Sequence, residues 1–142
     1  MFWATQTGRG RKALALAWLC AGVFGLGMIA APEQASAATR KETLAQYRAW
    51  MEEARARFPY PQSVDKMYRV MMCESSGNPR AVGYRSLYHG LFQYAPGTWK
   101  GSWNPYRGQS MYDAKSQIFA TAKAWSIGMQ RHWGCYFKTA GR

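Results

Sequence analysis

Apolar residues recur at intervals of three and four along residues 39–58, at Leu44, Tyr47, Met51, Ala54 and Phe58. That period predicts a helix with one apolar stripe, and Glu52, Glu53, Arg55 and Arg57 fall off the stripe. Thr39 and Glu42 have the spacing of a capping box at its start. Pro59 and Pro61 end it. A second helix is predicted from Ser63 to about Ser75. Val64, Met67 and Met71 share its inner face, with Val70 and Glu74 beside them. Gly77-Asn78-Pro79 stops it. Over residues 80–95 the helical period is lost. Gly83, Gly90 and the run Leu91-Phe92-Gln93-Tyr94 predict a short hairpin or an irregular extended loop. Pro96 starts a short helix carrying Thr98 and Trp99. A loop rich in glycine, asparagine and proline spans 101–110. Asp113 caps a last helix reaching about Gln130, which turns Ala114, Ile118, Ala122, Trp125 and Met129 inward. The expected class is mainly α (α+β), with a small hairpin-like element between helices.

The first 37 residues follow a different rule. Arg9, Arg11 and Lys12 precede an apolar run from Ala13 to Ala31, and Ala35-Ser36-Ala37 supplies the small-x-small pattern of a cleavage site. This reads as an export signal removed after Ala37. The alternative is an uncleaved anchor, because the run has the length of a membrane span. The expected organisation is a signal peptide at 1–37, an N-terminal helix at 38–62 packing on the domain, and the domain itself at 63–142. The location is then secreted or cell-envelope.

Charge and cysteines narrow this further. Without Arg9, Arg11, Lys12 and Glu33, 16 basic and 6 acidic side chains remain, a net of +10. Such a field attracts polyanions. For an exported monomer these are anionic cell-wall polymers, and no nucleic-acid fingerprint is present. Cys20 leaves with the signal, which leaves Cys73 and Cys135. An exported chain with two cysteines points to one disulfide, with two free or metal-binding thiols as the alternative. His89 and His132 are the only histidines and lack zinc-ligand spacing, so no metal or cofactor is expected.

With so few acids, each can be assigned in turn. Glu42 belongs to the capping box, and Glu52 and Glu53 sit among arginines. Asp113 caps a helix, and Asp65 lies in a first helical turn, where the dipole favours it. Glu74 has no such role. It falls at the end of its helix that disfavours negative charge, in Cys73-Glu74-Ser75-Ser76-Gly77-Asn78-Pro79, flanked by aromatic-rich segments. A carboxyl set against apolar walls has a raised pKa, as a general acid near neutrality requires. Asp65 is nine residues back on the same helix, about 13 Å away, too far for a retaining pair. The chain therefore points to chemistry run by one carboxyl, with an N-acetyl sugar supplying the rest. Sugar rings have apolar faces and hydroxyl rims, and Phe92, Tyr94, Trp99, Trp103 and Tyr106 surround Gln93, Thr98 and Asn104. Phe92 and Trp99 are expected in the core, Tyr94 and Trp103 in a cleft. His89 is expected to be a solvated loop histidine.

Glu74-Ser75, Asn78-Pro79, Ala81-Val82, Gly90-Leu91-Phe92-Gln93 and Pro96-x-Thr98-Trp99, in that order and spacing, resemble the lytic transglycosylase domain of the lysozyme-like fold. The resemblance covers about residues 64–130. The chain departs where many members carry Ala-Tyr-Asn-Ala-Gly and it has Ala124-Trp125-Ser126-Ile127-Gly128. The short actinobacterial cell-wall lysozyme-like proteins, including resuscitation-promoting factors, also lack that motif. The resemblance implies a fold with helices around a catalytic cleft. It implies that Glu74 protonates the bond between N-acetylmuramic acid and N-acetylglucosamine in peptidoglycan, then takes the proton of the muramic C6 hydroxyl to leave a 1,6-anhydro sugar. Ser75 would orient Glu74 or the acetamide, Gln93 would bind the sugar, and Gly90 would let the backbone approach it. Tyr94, Thr98 and Trp103 complete the expected substrate contacts. Competing expectations are a lysozyme-type hydrolase, a non-catalytic glycan-binding protein on the same fold, and a cationic membrane-active protein.

Overall fold

The computed structural model describes residues 32–140. Five α-helices follow in order: α1 Pro32–Arg57, α2 Val64–Ser75, α3 Pro96–Trp99, α4 Ala114–Ser126 and α5 Gly134–Lys138. Single 3₁₀ turns stand at Tyr84–Ser86 and Met129–His132. The predicted stripe of α1 is the one that packs. Met51 and Ala54 are fully buried, Tyr47 nearly so, and Leu44 and Phe58 lie against the core. The helix starts earlier than its capping pattern indicates. Thr39 is an interior residue whose carbonyl accepts from the Thr43 hydroxyl at 2.9 Å, so the capping box does not form. Nothing between 32 and 38 stops a helix. The segment opens with proline, suited to a first turn, and is rich in alanine, the best helix former. The apolar run and its basic flank lie outside the described residues, as does Cys20. Among the described residues no helix is long and apolar enough to cross a membrane.

Helix α2 begins and ends as its sequence predicts. Ser63 caps it, its hydroxyl accepting from Lys66 N at 3.1 Å. Asp65 in the first turn pairs with Arg48 of α1 at 3.1 Å and with Arg69 one turn on. At the other end Ser76 (φ 54°) and Gly77 (φ 78°) turn into the left-handed region and break the helix. Val64, Met67, Val70 and Met71 are buried. They meet Met51 of α1, Leu91 and Phe92 of the following loop, and Ile118 and Trp125 of α4 in one core.

No strand forms among the described residues: of the hairpin and the irregular loop expected here it is the loop that is found, with two isolated antiparallel bridges, Val82 with His89 and His89 with Tyr94. Arg85, Ser86, Gly90 and Gln93 all have positive φ, so the ladder is interrupted after each bridge. Helix α4 is capped by Asp113 as predicted, its carboxylate accepting from Ser116 N at 2.8 Å. It ends at Ser126 rather than near 130, because Gly128 adopts φ 85° and Met129 enters the 3₁₀ turn.

Cys73 and Cys135 are joined in a disulfide across 62 residues, which removes the free-thiol alternative. The bond ties the last turn of α2 to α5. In the chain-entropy picture such a loop contributes about 4 kcal/mol by restricting the unfolded chain. Replacing both cysteines by serine should lower Tm by roughly 15 °C or more. A thermal melt showing no loss would contradict that assignment of stability.

Candidate active site

The segment Gly90–Tyr94 is held from three directions. Leu91 N–H donates to the side-chain oxygen of Gln117, a fully buried residue of α4, and Gln117 Nε2 donates to Pro79 O at 3.2 Å. Trp133 Nε1 donates to Phe92 O at 2.8 Å. Tyr94 and Thr121 hydroxyls meet at 2.9 Å, and since Thr121 donates to Gln117 O, Tyr94 is the donor. Burial raises the Tyr94 phenol above its ordinary range. Gly90 is required by this arrangement. Its φ is +81°, and a Cβ there would stand 2.2 Å from Gln117 Oε1. The close approach that Gly90 serves is thus to Gln117.

The pinned segment walls a cavity of about 470 Å³. Gln93, Tyr94 and Thr98 contribute from this side, and Tyr84 and Tyr88 from the preceding loop. Met129, His132, Trp133, Cys135 and Lys138 contribute from the C-terminal segment. Glu74 enters from the end of α2 as the only carboxylate among the described residues that line the cavity.

Glu74 is half-buried, and its Oε1 accepts from Cys135 N–H at 3.2 Å. Oε2 has no hydrogen-bond partner among the described residues. Burial raises the carboxyl pKa, while the Cys135 N–H and the charge of Lys138 pull the other way. The residue before Glu74 and the residue whose amide holds it are the two halves of the disulfide. One oxygen is positioned and the other is uncommitted. Such a carboxyl can give up a proton and take one back.

The other candidates divide. Thr98 lines the cavity and is exposed. Gln93 lines it with backbone φ 50°, and its Nε2 donates to Gly90 O at 2.9 Å. Tyr94 presents a wall but commits its hydroxyl to the core. Ser75 is not in the lining: its hydroxyl donates to Met71 O and accepts from Gly77 N, both at 3.2 Å, and closes the helix end. Trp103 stacks behind Tyr94 at 6.3 Å. Asn104 is buried and donates to Trp99 O at 2.8 Å, and Tyr106 packs edge-on against Phe119. Phe92 and Trp99 are core, as expected. His89 pairs with the Tyr112 hydroxyl at 3.0 Å and lies outside the lining. Asp65 and Asp113 are engaged with arginines and a helix start, so neither joins Glu74.

Sequence reasoning missed Tyr84, Tyr88, His132, Trp133 and Lys138. A signal for the last three was present, because whatever flanks Cys135 must lie near Glu74 once the cysteines pair. Comparisons with protein-family models, curated proteins and solved structures find no match to this chain.

Two substitutions check this geometry. Gly90→Ala should destabilise the fold by about 2 kcal/mol or more, since both the backbone and Gln117 oppose the new methyl; a melt within a degree of wild type would contradict the pinning. Glu74→Gln bears on the buried charge. A carboxyl with a raised folded pKa adds stability while protonated, fully so below the ordinary carboxylate range. That stability is lost as pH rises through the folded pKa. The amide mimics the protonated form, so Glu74→Gln should melt above wild type at pH 7. The gain should vanish at about pH 3. A variant less stable than wild type at pH 7 would contradict the direction.

Proposed function

We propose that the protein is an exported lytic transglycosylase that cleaves peptidoglycan on a lysozyme-like fold, with Glu74 as its catalytic residue. The observation that carries this reading is the solitary carboxyl. It lies half out of water, one oxygen is fixed by Cys135 N–H, and no second carboxylate among the described residues lines the cavity. Aromatic side chains beside hydroxyl and amide groups suit sugar rings. The sequence resemblance, which places Glu74 at the catalytic position, points the same way.

In the first step the protonated Glu74 donates to the glycosidic oxygen as the C1–O bond of the muramic residue breaks. The departing N-acetylglucosamine leaves as an alcohol, and the acetamide oxygen stabilises C1. In the second step the Glu74 carboxylate takes the proton of the C6 hydroxyl while that oxygen bonds to C1. The products are an anhydro sugar and a glutamic acid ready for another cycle. No second carboxylate is needed at either step, because the substrate supplies both the internal stabiliser and the nucleophile. A hydrolase would replace the C6 hydroxyl with a positioned water.

Muropeptide mass spectrometry separates these outcomes. Wild type should release products one water lighter than hydrolysis products. Glu74→Gln should lose about a thousandfold in kcat/KM, in the range for loss of a general acid–base. Products of hydrolytic mass would make the protein a muramidase. Binding without release of any sugar, in wild type and variant alike, would make it a glycan-binding protein.

A further inference from the structure

Most lysines of the domain are occupied. Lys66 Nζ donates to Tyr136 O at 2.6 Å and to the Thr139 hydroxyl at 2.8 Å. Lys100 donates to Arg107 O, Lys115 pairs with Glu53, and Lys123 lies over Phe58. The two basic side chains that line the cavity are different. Lys138 and His132 have no hydrogen bond, ion pair or ring contact among the described residues, and both are exposed. Both come from the C-terminal segment that the disulfide secures beside Glu74. With Glu74 protonated, the cavity then carries unpaired positive charge and uncommitted donors, and no negative charge of its own.

Lys138 also works against the catalyst, since its charge draws the Glu74 pKa down. A cation that only weakened the general acid would be a poor arrangement. A negative group on the ligand would neutralise Lys138 and remove that pull once the ligand is seated.

We propose that Lys138 and His132 form a carboxylate-reading subsite, and that these two residues make the cavity select glycans bearing an acidic substituent over neutral ones. The proposal rests on reading the cavity as a glycan site. The carboxylate can come from the lactyl ether of a muramic residue or from an amino acid attached to it. Both would accept from the Lys138 ammonium and the His132 ring N–H, and charge-assisted bonds of this kind are the stronger class.

The test measures binding in the Glu74→Gln background, where turnover is slowed about a thousandfold and Lys138 has no charge on Glu74 to act through. Three tetrasaccharides are titrated calorimetrically: neutral chitotetraose, an alternating muramic glycan with free lactyl carboxylates, and the same glycan with each lactyl group extended by alanine. At least one acidic glycan should bind about tenfold tighter than chitotetraose. The tighter of the two identifies the source of the carboxylate. Adding Lys138→Met or His132→Ala should erode that preference, and Lys138→Arg should keep it. Both positions are exposed, and a melt checks that the variants fold. Equal affinity for all three glycans, absence of binding to any, or a preference that survives Lys138→Met would overturn the proposal. An acidic preference in a wild type that releases no sugar would overturn the catalytic reading and leave the subsite standing.

Discussion

A carboxyl withdrawn from water favours its neutral form, and it swings back toward solvent unless something fixes it in place. Here that constraint is the hydrogen bond from Cys135 N–H to Glu74 Oε1, at 3.2 Å. The disulfide begins one residue before Glu74 and ends on the residue that supplies the amide. The end of α2 and the start of α5 are therefore held together twice, by a covalent bond and by a charge-sensitive polar contact. Burial favours the protonated form of Glu74, and the amide keeps the side chain aimed. The two act in opposite directions on the pKa, with burial the larger. A site placed by such redundant restraints has the rigidity that proton transfer needs.

The second support is Gln117. A fully buried amide in a helix that, Thr121 apart, otherwise buries apolar side chains is costly unless its polar atoms are paired. Gln117 pairs its oxygen with Leu91 N–H and its nitrogen with Pro79 O. Thr121, one turn along, meets Tyr94. These contacts replace the strand ladder that the loop lacks. They fix an irregular segment, with Gln93 in a left-handed conformation, against α4. An unusual backbone held by paired buried polar groups is the form in which functional loops are commonly stabilised.

The helices were legible because burial imposes a period. Leu44 to Phe58 and Val64 to Met71 each declared an inner face, and Ser63 and Asp113 announced helix starts by side-chain chemistry. The disulfide followed from two cysteines in a chain whose first residues read as an export signal. Glu74 stood out by elimination, since every other acid had a local role. The start of α1 was not legible, because alanine-rich residues carried the helix past a plausible cap. Nor was the early end of α4, which Gly128 decides through its φ. Gln117 gave no signal, because a lone polar residue on an apolar face reads as solvent-facing until its partners are known. Ser75 was placed at the ligand by resemblance, and Trp103 by the run of aromatics around Gln93 and Thr98. The structure engages them in closing a helix and backing a ring.

The claim on which the account turns is that Glu74 stays protonated above the pH at which ordinary glutamates ionise. Titration of the Glu74 side-chain carboxyl carbon by NMR, in wild type and without ligand, measures this directly. The account predicts a midpoint above the ordinary glutamate range. A midpoint at or below that range would mean the amide and Lys138 outweigh burial, and Glu74 could not serve as the acid.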